Sequence, residues 1–269
     1  MQIGLLSDLH CELEPAHSRW INEFASDALD TMIDDALAWF GEAAVDLVVI
    51  LGDVVQFPHV EDLEHAFARV AAASPAPVVA VNGNHDLRLG DAFAARARAH
   101  GIALLTEQPV ELAGVSLRGI ELGPGPRAPQ YVGRPGARAG EGLDVVASHF
   151  PILSEALGVA GAGLPYAGDL VNRAELEALL RSEERPTLVV SGHIHARSTA
   201  QAATLLQFSV GAVIEPPFDA TIVDIDATAA RVRRRARRLG AIAPIDPVFA
   251  PDAETWQWDG RWRAVANGR

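Results

Sequence analysis

Five short polar blocks, each set directly after an apolar run, constrain this chain more than any other feature. They are Asp8-Leu9-His10, Gly52-Asp53, Gly83-Asn84-His85-Asp86, Ser148-His149 and Gly192-His193-Ile194-His195. Five of the nine histidines fall inside them. A carboxylate, amide or imidazole at the end of a strand-sized apolar run, repeated five times, calls for a fold that gathers strand ends. Open parallel sheets do this, because their ligand sites lie in the crevice beyond the carboxyl ends of the strands.

The segments between the blocks fit such a sheet. Residues 3–6, 45–51, 78–81 and 102–105 read as strands, and 45–51 is apolar on both faces, as a strand covered on both sides requires. Helical periodicity covers residues 18–40, 60–73 and 92–99. The βαβ rhythm predicts a mostly parallel sheet with right-handed crossovers. Residues 110–112 and 115–118 form an expected hairpin around Ala113-Gly114, and the Gly, Pro and Arg-rich stretch 123–142 reads as a long surface loop. Residues 143–147 and 187–190 are strands leading to the last two blocks, 157–168 a loop and 170–181 a helix. The tail, with strand-like runs at 205–214, 220–225 and 230–237, is expected to pair as a second sheet. The alternating large and polar residues around Trp256, Trp258 and Trp262 read as a final strand or a tail on the surface. At 269 residues, with 49% hydrophobic residues, one domain over 1–269 accounts for the chain, β-rich from about residue 204.

The block residues are ligands for divalent metals. Asp8 and His10 are two apart, which on an extended segment sends both side chains the same way. Gly52, without a Cβ, lets the backbone turn tightly before Asp53, whose two oxygens can bridge a pair of cations. Asn84 adds a neutral amide oxygen. His193 and His195 repeat the two-apart spacing, and His149 completes the set. A single zinc site takes three or four ligands; seven residues imply two metals with one ligand shared. Mixed nitrogen and oxygen donors suit manganese, iron, zinc or cobalt and disfavour calcium. Two such ions ~3.5–4 Å apart clamp a phosphoryl group for in-line displacement and acidify a bridging water into the nucleophile. His85 is then left without a metal. Protonated, it could stabilise charge on the phosphoryl oxygens and give a proton to the leaving alkoxide. Asp86 beside it could orient the ring or bind a neighbouring backbone group.

In order, the blocks resemble the pattern of the calcineurin-like metallophosphoesterase family: D-x-H, G-D, G-N-H-D, H and G-H-x-H, spanning residues 8 to 195 with no motif residue missing. The resemblance implies an α/β fold, a four-layered αββα sandwich of two mixed sheets flanked by helices. It also implies a division of ligands: Asp8, His10 and His195 on one metal, Asn84, His149 and His193 on the other, Asp53 bridging, and His85 in the acid role.

Composition narrows the partners. A net charge of −13 argues against nucleic acid, whose binding rests on a basic footprint. The run Arg231 to Arg238 has strand spacing, with Arg231, Arg233, Arg235 and Arg237 on one face, and reads as a solvated edge strand. No apolar run is long enough to span a bilayer. One cysteine, Cys11, and a start without a basic, apolar leader point to the cytoplasm. His59, in the loop after Asp53, is a candidate substrate contact; Arg118, Arg127, Arg134 and Arg138 are either phosphate contacts or exposed surface.

The expected activity is that of a dinuclear phosphodiesterase on small soluble esters, cyclic nucleotides among them, because no separate nucleic-acid or protein-binding domain is visible. The competing readings are a phosphomonoesterase on a small metabolite or phosphoprotein, a non-catalytic scaffold of the same fold, and a nuclease.

Overall fold

Alternation along the strands assigns each to its layers. The computed structural model describes residues 1–14, 16–166, 168–242 and 244–266. Strands β1 (Gln2–Leu6), β2 (Leu47–Ile50), β3 (Val78–Ala80) and β4 (Ala103–Leu104) lie side by side and parallel. Helices α1 (Leu29–Glu42), α2 (Val60–Ala73) and α3 (Asp91–Ala99) make the crossovers. Each helix buries one stripe: Met32, Ile33, Leu37 and Phe40 on α1, Leu63, Phe67 and Val70 on α2, Phe93 and Ala97 on α3. They meet Leu6, Val48, Ile50 and Ala80 from one face of the sheet. The residues between, Ile3, Leu5, Leu47, Val49 and Val79, point the other way into a second core.

The far wall of that second core is another sheet. It contains β5 (Val110–Leu112), β6 (Val115–Pro124), β7 (Tyr131–Pro135), β8 (Leu143–Ser148), β9 (Thr187–Ser191), β10 (Ser198–Ala202) and β11 (Leu205–Ser209). Strands β6, β8, β9 and β11 are parallel, with antiparallel partners at the edges. Its inner face supplies Val115, Val145, Leu188 and Phe208. Its outer face puts Val146 and Val189 against Leu176 and Leu180 of α5 (Arg173–Ser182). A short helix, α4 (Ala156–Gly161), precedes it. The chain then returns to the first sheet: β12 (Asp219–Asp226) pairs antiparallel with β1, and β13 (Arg231–Arg238), β14 (Ala253–Trp258) and β15 (Trp262–Val265) follow outward. The order of layers is helix, sheet, sheet, helix. No helix among the described residues is long and apolar enough to cross a membrane.

Several expectations are corrected. The helix expected over 18–40 starts only at Leu29, after a 3-10 turn at Ser26–Ala28. Residues 18–26 instead form a loop, because their polar groups bond elsewhere. Ser18 and Ser26 donate to Glu12 at 2.9 and 2.6 Å, and the Asn22 amide donates to Glu215 at 2.5 Å. The stretch 123–142 is not all loop, since β7 pairs with the end of β6. Within 157–168, α4 holds the first turns. The tail does not make a sheet of its own. The expected strand 205–214 ends at Ser209 in the second sheet, and residues 210–218 carry the chain across to the first, with the Val213 amide on the Ser7 carbonyl at 3.0 Å. Strand β13 is therefore no edge: it lies between β12 and β14, and Arg234 is fully buried.

Candidate metal centre

All five blocks follow the carboxyl ends of parallel strands. Asp8 comes after β1, Asp53 after β2, Asn84 after β3, His149 after β8 and His193 after β9. Strands from both sheets therefore deliver ligands to one place. Two glycines make the approach possible. Gly52 has φ +90°, and a Cβ there would lie 2.6 Å from the Gly83 nitrogen. A Cβ on Gly192 would collide with the Ser7 hydroxyl and the Asp8 carboxylate.

The two-apart spacing works by a different geometry from the extended one expected. Asp8 and His10 have φ of 53° and 40°, and His193 and His195 of 68° and 49°. Asp53 is also left-handed, at 50°. Such backbone is costly for residues with a Cβ, and non-glycine cases cluster at functional sites. It is held by tertiary bonds: the Asp8 amide donates to Gly52 at 3.2 Å and the His10 amide to Asp53 at 2.9 Å.

The side chains converge. The Nε2 atoms of His10 and His195 are 3.1 Å apart, and the latter is 3.3 Å from Asp8 Oδ1. His149 Nε2 lies 3.1 Å from Asn84 Oδ1 and 3.2 Å from Asp53 Oδ2; His10 Nε2 is 3.6 Å from the same Asp53 oxygen. Donor atoms of Asp8, His10 and His195 lie within 4.8 Å of one another, as do those of Asp53, His149 and His193. The other ring nitrogens are tied back. His149 Nδ1 donates to the Leu51 carbonyl at 2.8 Å, His10 Nδ1 to Gln56 Oε1 at 2.8 Å, and His195 Nδ1 to Glu215 at 2.5 Å. This fixes the tautomer that aims Nε2 inward, as metal-binding histidines require. Asp8 Oδ1 and His193 Nε2 are buried with no hydrogen-bond partner among the described residues. Lone pairs aimed at one another across 3 to 4 Å fit a pair of cations.

Electrostatics agree with that fit. Burial pushes the His10 and His193 imidazoles down to about 3, so both are neutral ligands. Burial acts the same way on His149 and His195, but Asp53 and Asp8 outweigh it and raise them to about 9 and about 10. Burial would lift the Asp8 and Asp53 carboxyls, yet the facing imidazoles hold both below the ordinary carboxylate range. Bound cations would take the place of these imidazolium protons.

His85 stands beside the ligands. Its amide donates to Asp53 Oδ1 at 2.9 Å, its Nδ1 to the Gln56 carbonyl at 2.7 Å, and its ring is 4.7 Å from that of His10. It also lies within ligand distance of His10 and Asp53. Of the two options for Asp86, the structure takes the backbone one. Its carboxylate accepts from Gly83, Val54 and Val55 at 2.8, 3.0 and 3.3 Å, and burial next to Asp53 raises it to about 7. It ties the second block to the third instead of touching the imidazole. Burial pushes the Cys11 thiol to about 12, which leaves it an inert core residue. His59 is turned toward Asp62, 3.4 Å away. Arg118 is buried between Asp144 and Glu183 at the opposite end of β8; Arg138 pairs with Glu141 and Glu183, and Arg127 and Arg134 are exposed.

The sequence reading missed four wall residues, Arg19, Trp20, Phe24 and Gln56. It also missed Glu215, although that residue carries the same signal as the five blocks: a carboxylate closing the apolar run 210–214.

The family model for calcineurin-like phosphoesterases matches residues 1–197. Among solved structures, a dimetal phosphatase from Danio rerio superposes with a TM-score of 0.65 at 14% identity, covering 89% of this chain and 96% of that one. The protein TT1561 of Thermus thermophilus gives 0.54 at 12% identity, over 89% and 99% of the two chains. These identities speak to the fold alone. No curated protein matches the chain in sequence. The family match runs through every block that converges on the cavity, and the chain belongs to the calcineurin-like phosphoesterases, metal-dependent hydrolases of phosphoric esters.

Proposed function

We propose that the chain is a phosphodiesterase acting on small soluble esters, cyclic nucleotides among them. On this reading Asp8, His10 and His195 hold one cation, Asn84, His149 and His193 a second, and Asp53 serves both. The observation that carries it is the convergence of ligand atoms from both sheets, with Nδ1 of His10, His149 and His195 tied back. Bound there, manganese, iron, zinc or cobalt would supply Lewis acidity toward the phosphoryl oxygens and an acidified water.

The chain's own groups do the rest. The Asp86 carboxylate sets the loops that carry Asp53 and Asn84 at one spacing. The Gln56 side chain and carbonyl orient His10 and His85. With Nδ1 committed to that carbonyl, His85 presents Nε2 as the atom that passes a proton to the departing oxygen. Preference for a diester follows from charge. A monoester dianion calls for several cationic donors, whereas among the described residues Arg19 is the one arginine on the cavity wall.

We place the whole chain, 1–269, in one domain, since β12 completes the sheet that β1 begins, and the protein in the cytoplasm, in keeping with a single, buried cysteine. The test is a panel of bis-aryl and mono-aryl phosphates on protein loaded with Mn²⁺, with metal content measured in parallel. Faster turnover of the diester at two ions per chain is expected. A monoester preference would move the assignment to the phosphomonoesterases, and metal-loaded protein that turns over neither would leave the scaffold reading.

A further inference from the structure

The cavity has a wall that the ligand set leaves unused. Its volume is about 150 Å³, well short of the ~300–1,000 Å³ of a pocket that encloses a whole small molecule. Only the phosphoryl group of a substrate fits inside it with the ions. The organic part must rest at the mouth, against whatever stands there. Arg19 and Trp20 line the cavity together with the ligands. Arg19 is exposed, and its guanidinium has no ion pair or hydrogen bond among the described residues. The nearest acid in sequence, Glu23, is committed to His17 at 3.0 Å. Trp20 is half-buried, packed against the core beneath α1.

The loop that carries them is not free to swing. Ser18 and Ser26 are fastened to Glu12, two residues beyond His10. The Ile21 and Asn22 amides are fastened to Glu215, which also holds the His195 ring. The Ala25 amide bonds to the Ile214 carbonyl at 2.8 Å. The ends of the loop are thus keyed to the segment that carries His10 and its middle to the partner of His195, so Arg19 and Trp20 are placed before any substrate arrives.

We propose that Arg19 and Trp20 form the recognition corner of this enzyme. Arg19 donates its planar fork to a phosphate oxygen, and Trp20 offers its ring to a flat aromatic group attached to that phosphate. The inference rests on the phosphoesterase reading above and narrows it to esters in which an aryl or nucleoside group adjoins the phosphorus.

Non-hydrolysable probes test it by calorimetry on Mn²⁺-loaded protein: inorganic phosphate, methylphosphonate and phenylphosphonate. Wild type is expected to bind phenylphosphonate most tightly. Arg19→Gln weakens all three about tenfold or more, the usual effect of losing a charged hydrogen bond. Trp20→Ala weakens phenylphosphonate about tenfold, as loss of a stacking partner does, and leaves methylphosphonate unchanged. Trp20→Phe restores most of the difference. Elemental analysis of each variant, with two ions retained, shows that the site itself is intact. Unchanged binding in Arg19→Gln, or equal losses of the two phosphonates in Trp20→Ala, overturns the corner while leaving the metal centre standing. Metal-loaded wild type that binds none of the probes overturns the phosphoesterase reading, and the corner with it.

Discussion

The molecule buries charge in two places, and the two are built on opposite rules. Around Arg234 and Arg197, positive and negative groups alternate. Arg234 is 2.6 Å from Glu254 and donates to the Ser198 carbonyl at 2.8 Å. Arg197 is 3.2 Å from Asp219 and 2.7 Å from Asp252. Each cation has its anion from a neighbouring strand or loop, and the cluster fastens β10, β12, β13 and β14 together. In the metal cavity the positive partners of Asp53 and Asp8 are only the imidazolium protons of His149 and His195, which bound cations would replace. Carboxylate oxygens, an amide oxygen and imidazole lone pairs point at one another, with their donors turned outward. Five of those residues sit in left-handed backbone. Buried charge that closes on itself reads as structure; buried lone pairs that face each other, on strained backbone, read as a cation site. Net burial does not separate the two regions. What separates them is the guanidinium that answers a carboxylate in the cluster, Arg197 beside Asp219 and Arg234 beside Glu254.

The strongest break in that contrast is at the shared carboxylate. On the proposed division of ligands, Asp53→Asn removes the charge that both ion positions use, and with it several kcal/mol of transition-state stabilisation, about a thousandfold in rate or more. Metal content per chain and kcat/KM are measured together. Full retention of two ions would count against the assignment. The same exchange of carboxylate for amide at Asp219, in the self-closing cluster, is expected to leave metal content and kcat/KM as they were.

His85 separates chemistry from ligation. His85→Asn is expected to keep both ions and to slow esters of poor leaving groups by about 10²–10⁴-fold, the range for one positioned acid. Esters of good leaving groups, which need little protonation, lose far less. Equal losses across the series remove His85 as the acid, and loss of an ion shows that it is a ligand instead, as its proximity to His10 and Asp53 allows.

The structural cluster has its own signature, in stability. Burial raises the Asp219 carboxyl to about 7, against the pull of Arg197. Its folded pKa therefore lies above the unfolded one. Between about pH 4 and pH 7 the unfolded chain has released this proton and the folded chain still holds it. The unfolded state binds fewer protons, so stability falls as pH rises through that window, by up to about 4 kcal/mol at 1.36 per unit. Asp219→Asn should flatten the decline. Denaturant midpoints at pH 4.5 and 7.5 for the two proteins measure it, and parallel slopes would refute the assignment of that proton.

The contrast also marks what a reader of the bare sequence could see. The blocks that converge on the cavity were legible because each is local: an apolar run, a small residue, a polar donor. Helix α2 was legible for the same reason, its stripe lying on its own face. The loop 18–28 was not, because its helical spacing is overridden by partners such as Glu215, 193 residues away from Asn22. Nor was the place of β13. Alternation sorts arginines onto two faces, but only the neighbouring β14 turns the Arg234 side into an interior. The left-handed turns at Asp8 and His10 were equally out of reach, since amide bonds to Gly52 and Asp53 impose them.

Glu215 belongs to both halves of the comparison and gives the finest test. It is fully buried, like Arg234, and its carboxylate is satisfied by His195 Nδ1 and two amides of the 18–26 loop. It touches no substrate-facing atom, so it is a positioning residue for one ligand. Glu215→Gln keeps one acceptor oxygen, turns the other into an NH2 donor facing an N–H, and removes the charge that makes the His195 ring a stronger donor to a metal. Substitutions at such outer partners cost about 10–100-fold in metal affinity. Competition with a chelator should show that loss for one ion and not the other, beside a drop in thermal stability from the buried N–H left facing the new amide. If both ions weaken together, Glu215 acts through the fold; if neither does, the His195 ring is held by its surroundings and the contact to Glu215 serves the loop alone.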